Sequence, residues 1–208
     1  MLGECGMLRK FWICFALLFT AVLSVQDTRA AMIGAPINLK YQFERIKLAG
    51  AVLPPMAHIN FCLRYPSDCK TGKQPLFRGG GVKLTAERYA DLVKINSDVN
   101  RSIAPVRNER GVVGEEWIVA PSQGDCNDYA VTKRHALLER GWPARALLLA
   151  EVVTGSGEHH LILVVRTRSG DVVVDNLNAN VRPWSKTNYQ WVRMQSPQNP
   201  QFWSKVAV

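Results

Sequence analysis

The chain has 208 residues, a formal net charge of +9 and 47% hydrophobic residues. This length suits one domain with a substantial core and argues against two domains. Its 26 lysines and arginines are scattered rather than gathered in a dense run, so the charge indicates a solvated basic surface and no nucleic-acid partner.

The N-terminal segment has the pattern of a secretory signal peptide. A basic pair at 9–10 precedes an apolar run at 11–25. In the segment Thr-Arg-Ala at 28–30, the first and last residues are the small residues that a signal peptidase recognises. The alternative is an uncleaved membrane anchor, but the apolar run is shorter than the roughly 20 residues that a span needs. We therefore expect cleavage after Ala30, a mature domain at 31–208, a periplasmic or secreted bacterial protein, and no stable membrane insertion.

The region at 31–84 is rich in Gly and Pro, which predicts loops and one short helix near a pair of cysteines. Cys62 and Cys69 are separated by six residues, with Pro66 between them to turn the chain. Because neighbouring cysteines of exported proteins tend to pair, we expect a disulfide between them. Cys126 is then left as an odd thiol, which is either buried and inert or reactive.

Two helices are predicted in the middle of the chain. Thr85 suits a helix N-cap, and apolar residues at helical spacing then predict a helix at 86–103. A long loop is expected at 105–124. The second helix is predicted at 126–140, with Asp125 at its N-cap.

The C-terminal part of the chain predicts a sheet. Apolar and β-branched runs separated by glycine-containing turns indicate strands at 144–153, 160–167, 172–175 and 190–195. The short spacing between the first three strands favours an antiparallel meander. Helices first and a sheet second indicate an α+β fold.

Cys126 begins the second predicted helix, directly after Gly124 and Asp125. Cysteine attacks as the thiolate, and the unpaired N–H groups and dipole of a helix N-terminus favour negative charge there. The N–H group of Cys126 can also point at the oxygen of a polarised carbonyl and supply half of an oxyanion hole. The position therefore predicts a nucleophilic thiol.

A thiolate nucleophile needs a base that later protonates the leaving group, and histidine suits that role. His135 lies nine residues along the nucleophile's own helix, about 13 Å away, and cannot reach the thiol. His58 is a weak candidate in the loop-rich region. His159 and His160 open a strand and face opposite ways, so one of them can point at the helix. Asp175 ends the next strand, where it can orient the imidazole.

Several short segments together resemble a known protein family. They lie at 61–69, 124–129, 141–143, 160–167, 170–171, 174–177, 183–185 and 193–197. The chain is similar, over about 55–204, to the bacterial transglutaminase-like cysteine proteinases, especially their rhizobial-type branch. The resemblance implies a papain-like transglutaminase core, with the nucleophile helix packed on an antiparallel sheet. It also implies Cys126 as nucleophile, Asp175 as orienter and, as base, His160 rather than His159.

The same resemblance implies a calcium site beside the nucleophile. Its positions match Asp125, Asn127 and Asp128, and oxygen ligands of this kind suit calcium. Many members of the family carry an acid where this chain has Asn127. We expect no cofactor to be required for the chemistry itself, with Ca²⁺ as the candidate ion.

The predicted function is cleavage of peptide bonds in a protein substrate, for example a cell-surface protein, through an acyl-enzyme intermediate. One alternative keeps the three residues but transfers the acyl group to an amine, which would make the chain a transglutaminase or another acyltransferase. Another alternative is a non-catalytic binding module of the cell envelope.

Overall fold

The structure is a computed structural model, and it describes residues 44–70, 81–108, 111 and 114–207. The predicted signal peptide and its cleavage site lie outside the described residues. Within the described ranges, no helix is both long and apolar enough to cross a bilayer.

The described residues form helices and strands of ordinary length. In chain order these are β1 (Lys47–Val52), α1 (Met56–Arg64), α2 (Ala86–Ser102), β2 (Ala104–Pro105), β3 (Gln123–Gly124), α3 (Cys126–Glu139), β4 (Leu147–Val153), β5 (His159–Thr167), β6 (Gly170–Val174), β7 (Arg182–Pro183), β8 (Gln190–Gln195) and β9 (Trp203–Ala207). Short 3-10 turns occupy 144–146 and 184–186.

Both predicted helices are confirmed to within one residue at each end. The Thr85 side chain caps α2 by accepting a hydrogen bond from the Arg88 N–H group. α3 is followed by Gly141, whose φ of 78° lies in the left-handed region that favours glycine. Where the structure describes the expected loop at 105–124, it is irregular apart from Pro105, which ends β2, and the last two residues, which form β3. β3 pairs in parallel with β2.

Seven of the described strands form one antiparallel sheet, in the order β1-β9-β8-β4-β5-β6-β7. The predicted meander is confirmed from β4 to β6, and β8 has the predicted bounds of 190–195. β7, which was not predicted, pairs with β6. The expectation of loops at 31–84 is wrong at β1, which pairs with the C-terminal strand β9. β1 is an exposed edge strand, so its sequence lacks the alternation of apolar and polar residues that marks a half-buried strand.

The sheet separates two clusters of buried side chains. Alternate residues of β5 divide between them, with Leu161, Leu163 and Val165 in the cluster that includes α2 and α3, and Ile162 and Val164 in the other. The helices therefore pack on one face of an antiparallel sheet. This is the α+β arrangement predicted from the sequence.

The predicted disulfide between Cys62 and Cys69 is present and joins the end of α1 to the turn that follows it. Asp68 of that turn is buried, and its carboxylate lies 3.0 Å from His135 Nδ1 on α3. Arg134, also on α3, donates a 2.5 Å hydrogen bond to the Asp68 carbonyl oxygen. The turn containing the disulfide is thus attached to the middle of α3.

Candidate active site

The start of α3 is held by a reciprocal pair of capping hydrogen bonds. Asp125 Oδ1 accepts from the Asn127 N–H group at 2.9 Å, and Asp128 Oδ2 accepts from the Asp125 N–H group at 3.1 Å. A Cβ atom added to Gly124 would lie 2.3 Å from Asp128 Oδ2, so the cap requires glycine at that position. This local structure fixes where the backbone of Cys126 begins the helix.

The Cys126 thiol is unpaired, and its surroundings oppose ionisation. Burial raises its pKa to about 12, a backbone hydrogen bond from Leu161 acts in the opposite direction, and the carboxylates of Asp125, Glu115 and Asp175 raise it further. Burial and three nearby acids thus oppose the stabilisation of the thiolate that the helix N-terminus is expected to provide. Ionisation needs a proton acceptor at the site.

His160 and Asp175 form a buried hydrogen-bonded pair. His160 Nε2 lies 2.8 Å from Asp175 Oδ1, and the two residues are 5% and 2% exposed. Asp175 also accepts hydrogen bonds from the Tyr189 hydroxyl and, at 3.0 Å, from the Leu177 N–H group. Burial by itself would raise the pKa of Asp175, but these donors hold it below its ordinary value.

The four described histidines have different surroundings. His159 is 70% exposed at its side chain and pairs with Glu151 at 2.7 Å. His58 is buried against Trp203 and Gln195, and His135 pairs with Asp68. Of these histidines, His160 is the one that shares a hydrogen bond with Asp175.

The thiol lies beside the first part of β5, near enough to Asp175 for that carboxylate to raise the pKa of Cys126. Pairing between β5 and β6 begins only at Leu163 and Val174, which leaves the first part of β5 open on that side. The Cys126 sulfur accepts its backbone hydrogen bond there from Leu161, which follows His160. By alternation His160 lies on the Ile162 face of the strand, opposite α3. That His160 reaches the Cys126 thiol from this position stays a prediction.

The residues predicted as calcium ligands cluster around the same cap. Both carboxylate oxygens of Asp128 accept backbone hydrogen bonds, one from Ile118 at 2.8 Å and one from Asp125. The Asn127 amide donates to Glu115 Oε1. Burial and the neighbouring charge of Asp125 raise the pKa of Glu115, which was not predicted as a site residue. The arrangement offers oxygen atoms from Asp125, Asn127 and Glu115 beside the thiol.

A second group of ligand-type side chains lies away from the cap. Among the described residues, His58, Cys62 and Cys69 place their ligand atoms within 4.8 Å of one another. The two sulfur atoms of that group are joined in the disulfide, so the group is not a metal centre in this state.

Two residues that form hydrogen bonds with the site residues were not predicted from the sequence. Tyr189 reaches Asp175 from the segment before β8, and Glu115 reaches Asn127 from the loop before α3. Both contacts depend on how long connections fold back over the sheet and the helix end. Nothing in the local sequence pattern marks either residue.

Comparison with known proteins identifies the family. The sequence profile described as "Bacterial transglutaminase-like cysteine proteinase BTLCP" matches residues 48–208. Among solved structures, Legionella pneumophila LapG aligns with a TM-score of 0.44 at 20% identity, covering 50% of this chain and 63% of that chain. No individually curated protein sequence matches this chain.

Two further LapG structures give similar alignments. The calcium-bound form has a TM-score of 0.49 at 20% identity, covering 59% of this chain and 71% of that chain. The EGTA-treated form has a TM-score of 0.43 at 20% identity, with coverages of 50% and 61%. Because the family profile spans most of its length, this chain belongs to the bacterial transglutaminase-like cysteine proteinases.

Proposed function

We propose that the chain is an exported thiol hydrolase that cleaves peptide bonds of a protein substrate through Cys126, His160 and Asp175. The observation that carries the proposal is the buried His160–Asp175 hydrogen bond, located next to the Leu161 N–H group that binds the Cys126 sulfur. A nucleophile, a base and an orienting acid near the start of one strand would form the arrangement that acyl transfer requires.

The hydrogen bond to Asp175 assigns roles to the two ring nitrogens of His160. Because Nε2 faces the carboxylate, Nε2 carries a proton and Nδ1 of the neutral ring is the free acceptor. Nδ1 takes the proton from the Cys126 thiol as the sulfur attacks the substrate carbonyl carbon. Asp175 stabilises the resulting imidazolium.

The two half-reactions then return the site to its starting state. The carbon–nitrogen bond of the substrate breaks as Nδ1–H protonates the leaving amine, and a thioester to Cys126 remains. Water attacks the thioester carbonyl, Nδ1 accepts a proton from that water, and the carbon–sulfur bond breaks. The sulfur regains a proton from the imidazolium, and the product leaves as a carboxylic acid that ionises in solvent.

We also propose that Ca²⁺ binds at the start of α3 through oxygen atoms of Asp125, Asn127 and Glu115. Asp128 remains a predicted ligand, although each of its oxygens already accepts a backbone hydrogen bond. The donor set fits, because hard cations prefer carboxylate and amide oxygens. The negative charges of Asp125 and Glu115 raise the pKa of the neighbouring Cys126 thiol. When bound, the ion would offset those charges and so lower that pKa.

Replacing Asn127 with aspartate is expected to tighten calcium binding and to lower the melting temperature of the calcium-free protein. The added carboxylate supplies another charged ligand, but without an ion it faces Glu115, which now accepts a hydrogen bond from the Asn127 amide. Calorimetric titration with CaCl₂ and thermal unfolding in EGTA measure the two effects. As a matched control, Asn60→Asp, at an exposed position of α1, should leave calcium affinity unchanged. Equal affinities for Asn127→Asp and wild type would contradict the proposed ligand set.

The decisive test of the proposed hydrolase is a comparison of cells that produce either the wild-type chain or Cys126→Ala. New protein N-termini in the envelope and secreted fractions would be labelled and sequenced. We expect at least one protein to be cut in the wild type and intact in Cys126→Ala, with His159→Ala behaving as wild type. The purified candidate is then incubated with the enzyme and a labelled primary amine. Amine incorporation without cleavage would show a transglutaminase. The absence of both amine incorporation and cleavage would contradict the enzymatic proposal.

A further inference from the structure

The connection between β7 and β8 carries a tyrosine that contacts both members of the His160–Asp175 pair. The Tyr189 hydroxyl donates a hydrogen bond to Asp175 Oδ2, and the centre of its ring lies 5.8 Å from that of the His160 ring, with the two planes tilted by 59°. Tyr189 is half-buried and packs against the cluster of buried side chains that includes Ile162 and Val164. It therefore approaches the pair from the face of the sheet opposite α3.

Tyr189 is held in place by a tryptophan on each side of it in the sequence. The Trp184 indole N–H group donates to the Glu44 carbonyl oxygen at 2.8 Å. The Trp184 ring also meets the ring of Trp191 edge-on, with 5.5 Å between the ring centres, and Trp191 is buried in β8. Because the connection is fixed on both sides of Tyr189, the side chain has less conformational entropy to lose when its hydroxyl binds Asp175.

The two oxygen atoms of the Asp175 carboxylate have different hydrogen-bond donors. Oδ1 lies 2.8 Å from His160 Nε2 and accepts from the Leu177 N–H group at 3.0 Å. Within the described ranges, the donor to Oδ2 is the Tyr189 hydroxyl. Asp175 is 2% exposed, so water has little access to replace a lost donor. Without this hydroxyl, Oδ2 would be buried and unpaired, and rotation of the carboxylate could exchange the oxygen that faces His160.

The charges around Asp175 are consistent with a carboxylate that accepts from a protonated tyrosine. Burial alone would raise the pKa of Asp175, but the hydrogen bonds from His160 and Tyr189 help to hold it below its ordinary value. Burial and the neighbouring carboxylate raise the pKa of Tyr189, while Arg182 acts in the opposite direction, so the hydroxyl keeps its proton. The other ionisable groups whose charges interact with Asp175 lie on α3 and are Cys126 and Lys133.

We propose that Tyr189 is a positioning residue for the proposed reaction: its hydroxyl holds Asp175 Oδ2 so that Oδ1 stays aligned with His160 Nε2, and its ring covers that bond on the face away from α3. A hydrogen bond from a hydroxyl to a carboxylate is stronger than one between neutral groups, and it strengthens further where water is excluded. Phenylalanine would fill the same half-buried space, so the hydroxyl is the part of the side chain that acts on Asp175. The inference rests on the proposed function only in giving the His160–Asp175 pair a catalytic purpose.

Proton NMR of the folded protein, with circular dichroism recorded at each pH, tests the proposal without a substrate. The N–H proton between His160 Nε2 and Asp175 is expected to give a strongly downfield signal, assigned by its loss in His160→Ala. As the pH is lowered, Tyr189→Phe should lose this signal about one pH unit above the wild type, because the carboxylate protonates sooner without a charge-assisted hydrogen bond. Tyr189→Leu should show the same shift, and its proton should also exchange faster with water at pH 7, because the covering ring is gone.

Tyr89→Phe is the matched control, because Tyr89 is another half-buried tyrosine, on α2, and packs against the other cluster of buried side chains. It should lose the signal at the same pH as the wild type. The proposal is overturned if Tyr189→Phe and wild type lose the signal at the same pH, or if the wild type shows no signal that depends on His160. It is also overturned if Tyr189→Phe fails to fold or loses its native circular dichroism together with the signal, since the hydroxyl would then support the fold.

The hydrolase and the role of Tyr189 can fail separately. The NMR shift in Tyr189→Phe without any proteolysis by the wild type would refute the hydrolase and leave the role of Tyr189 in holding Asp175 established. Proteolysis by the wild type without the NMR shift would refute only the role of Tyr189.

Discussion

Replacing His160 with alanine is expected to slow alkylation of Cys126 by iodoacetamide at pH 7 at least about a hundredfold, the lower range of what a positioned proton acceptor contributes. The reason is the surroundings of the thiol. Burial and the acids Asp125, Glu115 and Asp175 raise the pKa of Cys126 to about 12, so the thiol alone supplies almost no thiolate at neutral pH. A reactive sulfur at pH 7 therefore depends on the imidazole.

The pH dependence gives the sharper form of this prediction. In His160→Ala the alkylation rate should keep rising through pH 10, because burial and nearby acids raise the pKa of Cys126 to about 12. In the wild type the rate should level off at much lower pH, since Nδ1 accepts the proton. Stopped-flow or mass-spectrometric measurement of the alkylated fraction, in EGTA so that no cation alters the nearby charges, yields both curves.

His159→Ala is the matched control, because His159 is exposed, adjacent in sequence and bonded to Glu151 rather than to Asp175. Its alkylation curve should coincide with that of the wild type. Equal rates for His160→Ala and wild type would show that this imidazole does not activate the thiol. If wild-type Cys126 reacts slowly and its alkylation rate also keeps rising through pH 10, the non-catalytic envelope module would be favoured.

The sequence was sufficient to predict the elements whose boundaries have strong local chemistry. Thr85, Asp125 and Gly141 mark the limits of α2 and α3 through caps and a left-handed glycine, and those limits agree with the structure. The strand-edge position of β1 was not predictable. Its pairing joins residues near opposite ends of the domain, and an exposed edge carries no apolar alternation.

The site was predictable in its residue types and less so in its electrostatics. Short-range patterns placed Cys126 at a helix start, and the hairpin between β5 and β6 brought His160 near Asp175. The high pKa of the thiol depends on burial and on Glu115, which belongs to a distant loop in the sequence. Desolvation is a property of the packed structure, so a helix-dipole argument made from the sequence alone could not include the burial that raises the pKa of the thiol.

Adjacent positions on α3 give the second prediction with a large effect. Arg134→Met is expected to lower the free energy of unfolding by about 3–5 kcal/mol, because removing one partner leaves buried polar groups uncompensated. Arg134 is 1% exposed, donates to the Leu147 carbonyl oxygen at 3.0 Å and to that of Asp68 at 2.5 Å, and lies 4.0 Å from the Asp68 carboxylate. The variant leaves all three acceptors without this guanidinium and removes one of the two α3 side chains that hold the disulfide turn, the other being His135.

Lys133→Met is the matched comparison, since it removes a buried cation one residue away that has no hydrogen-bond partner among the described side chains and backbone groups. Its free energy of unfolding at pH 7 should equal or exceed that of the wild type. The pKa of Lys133 falls to about 7 in the folded chain from 10.5, so the unfolded state binds more protons between those values and wild-type stability rises with pH there. The advantage of Lys133→Met should therefore shrink from pH 7 towards pH 10. Urea titrations with the disulfide intact measure the free energy of unfolding of both variants. Similar losses of free energy for Lys133→Met and Arg134→Met would show that the presence of hydrogen-bond partners does not decide the cost of burying these two cations.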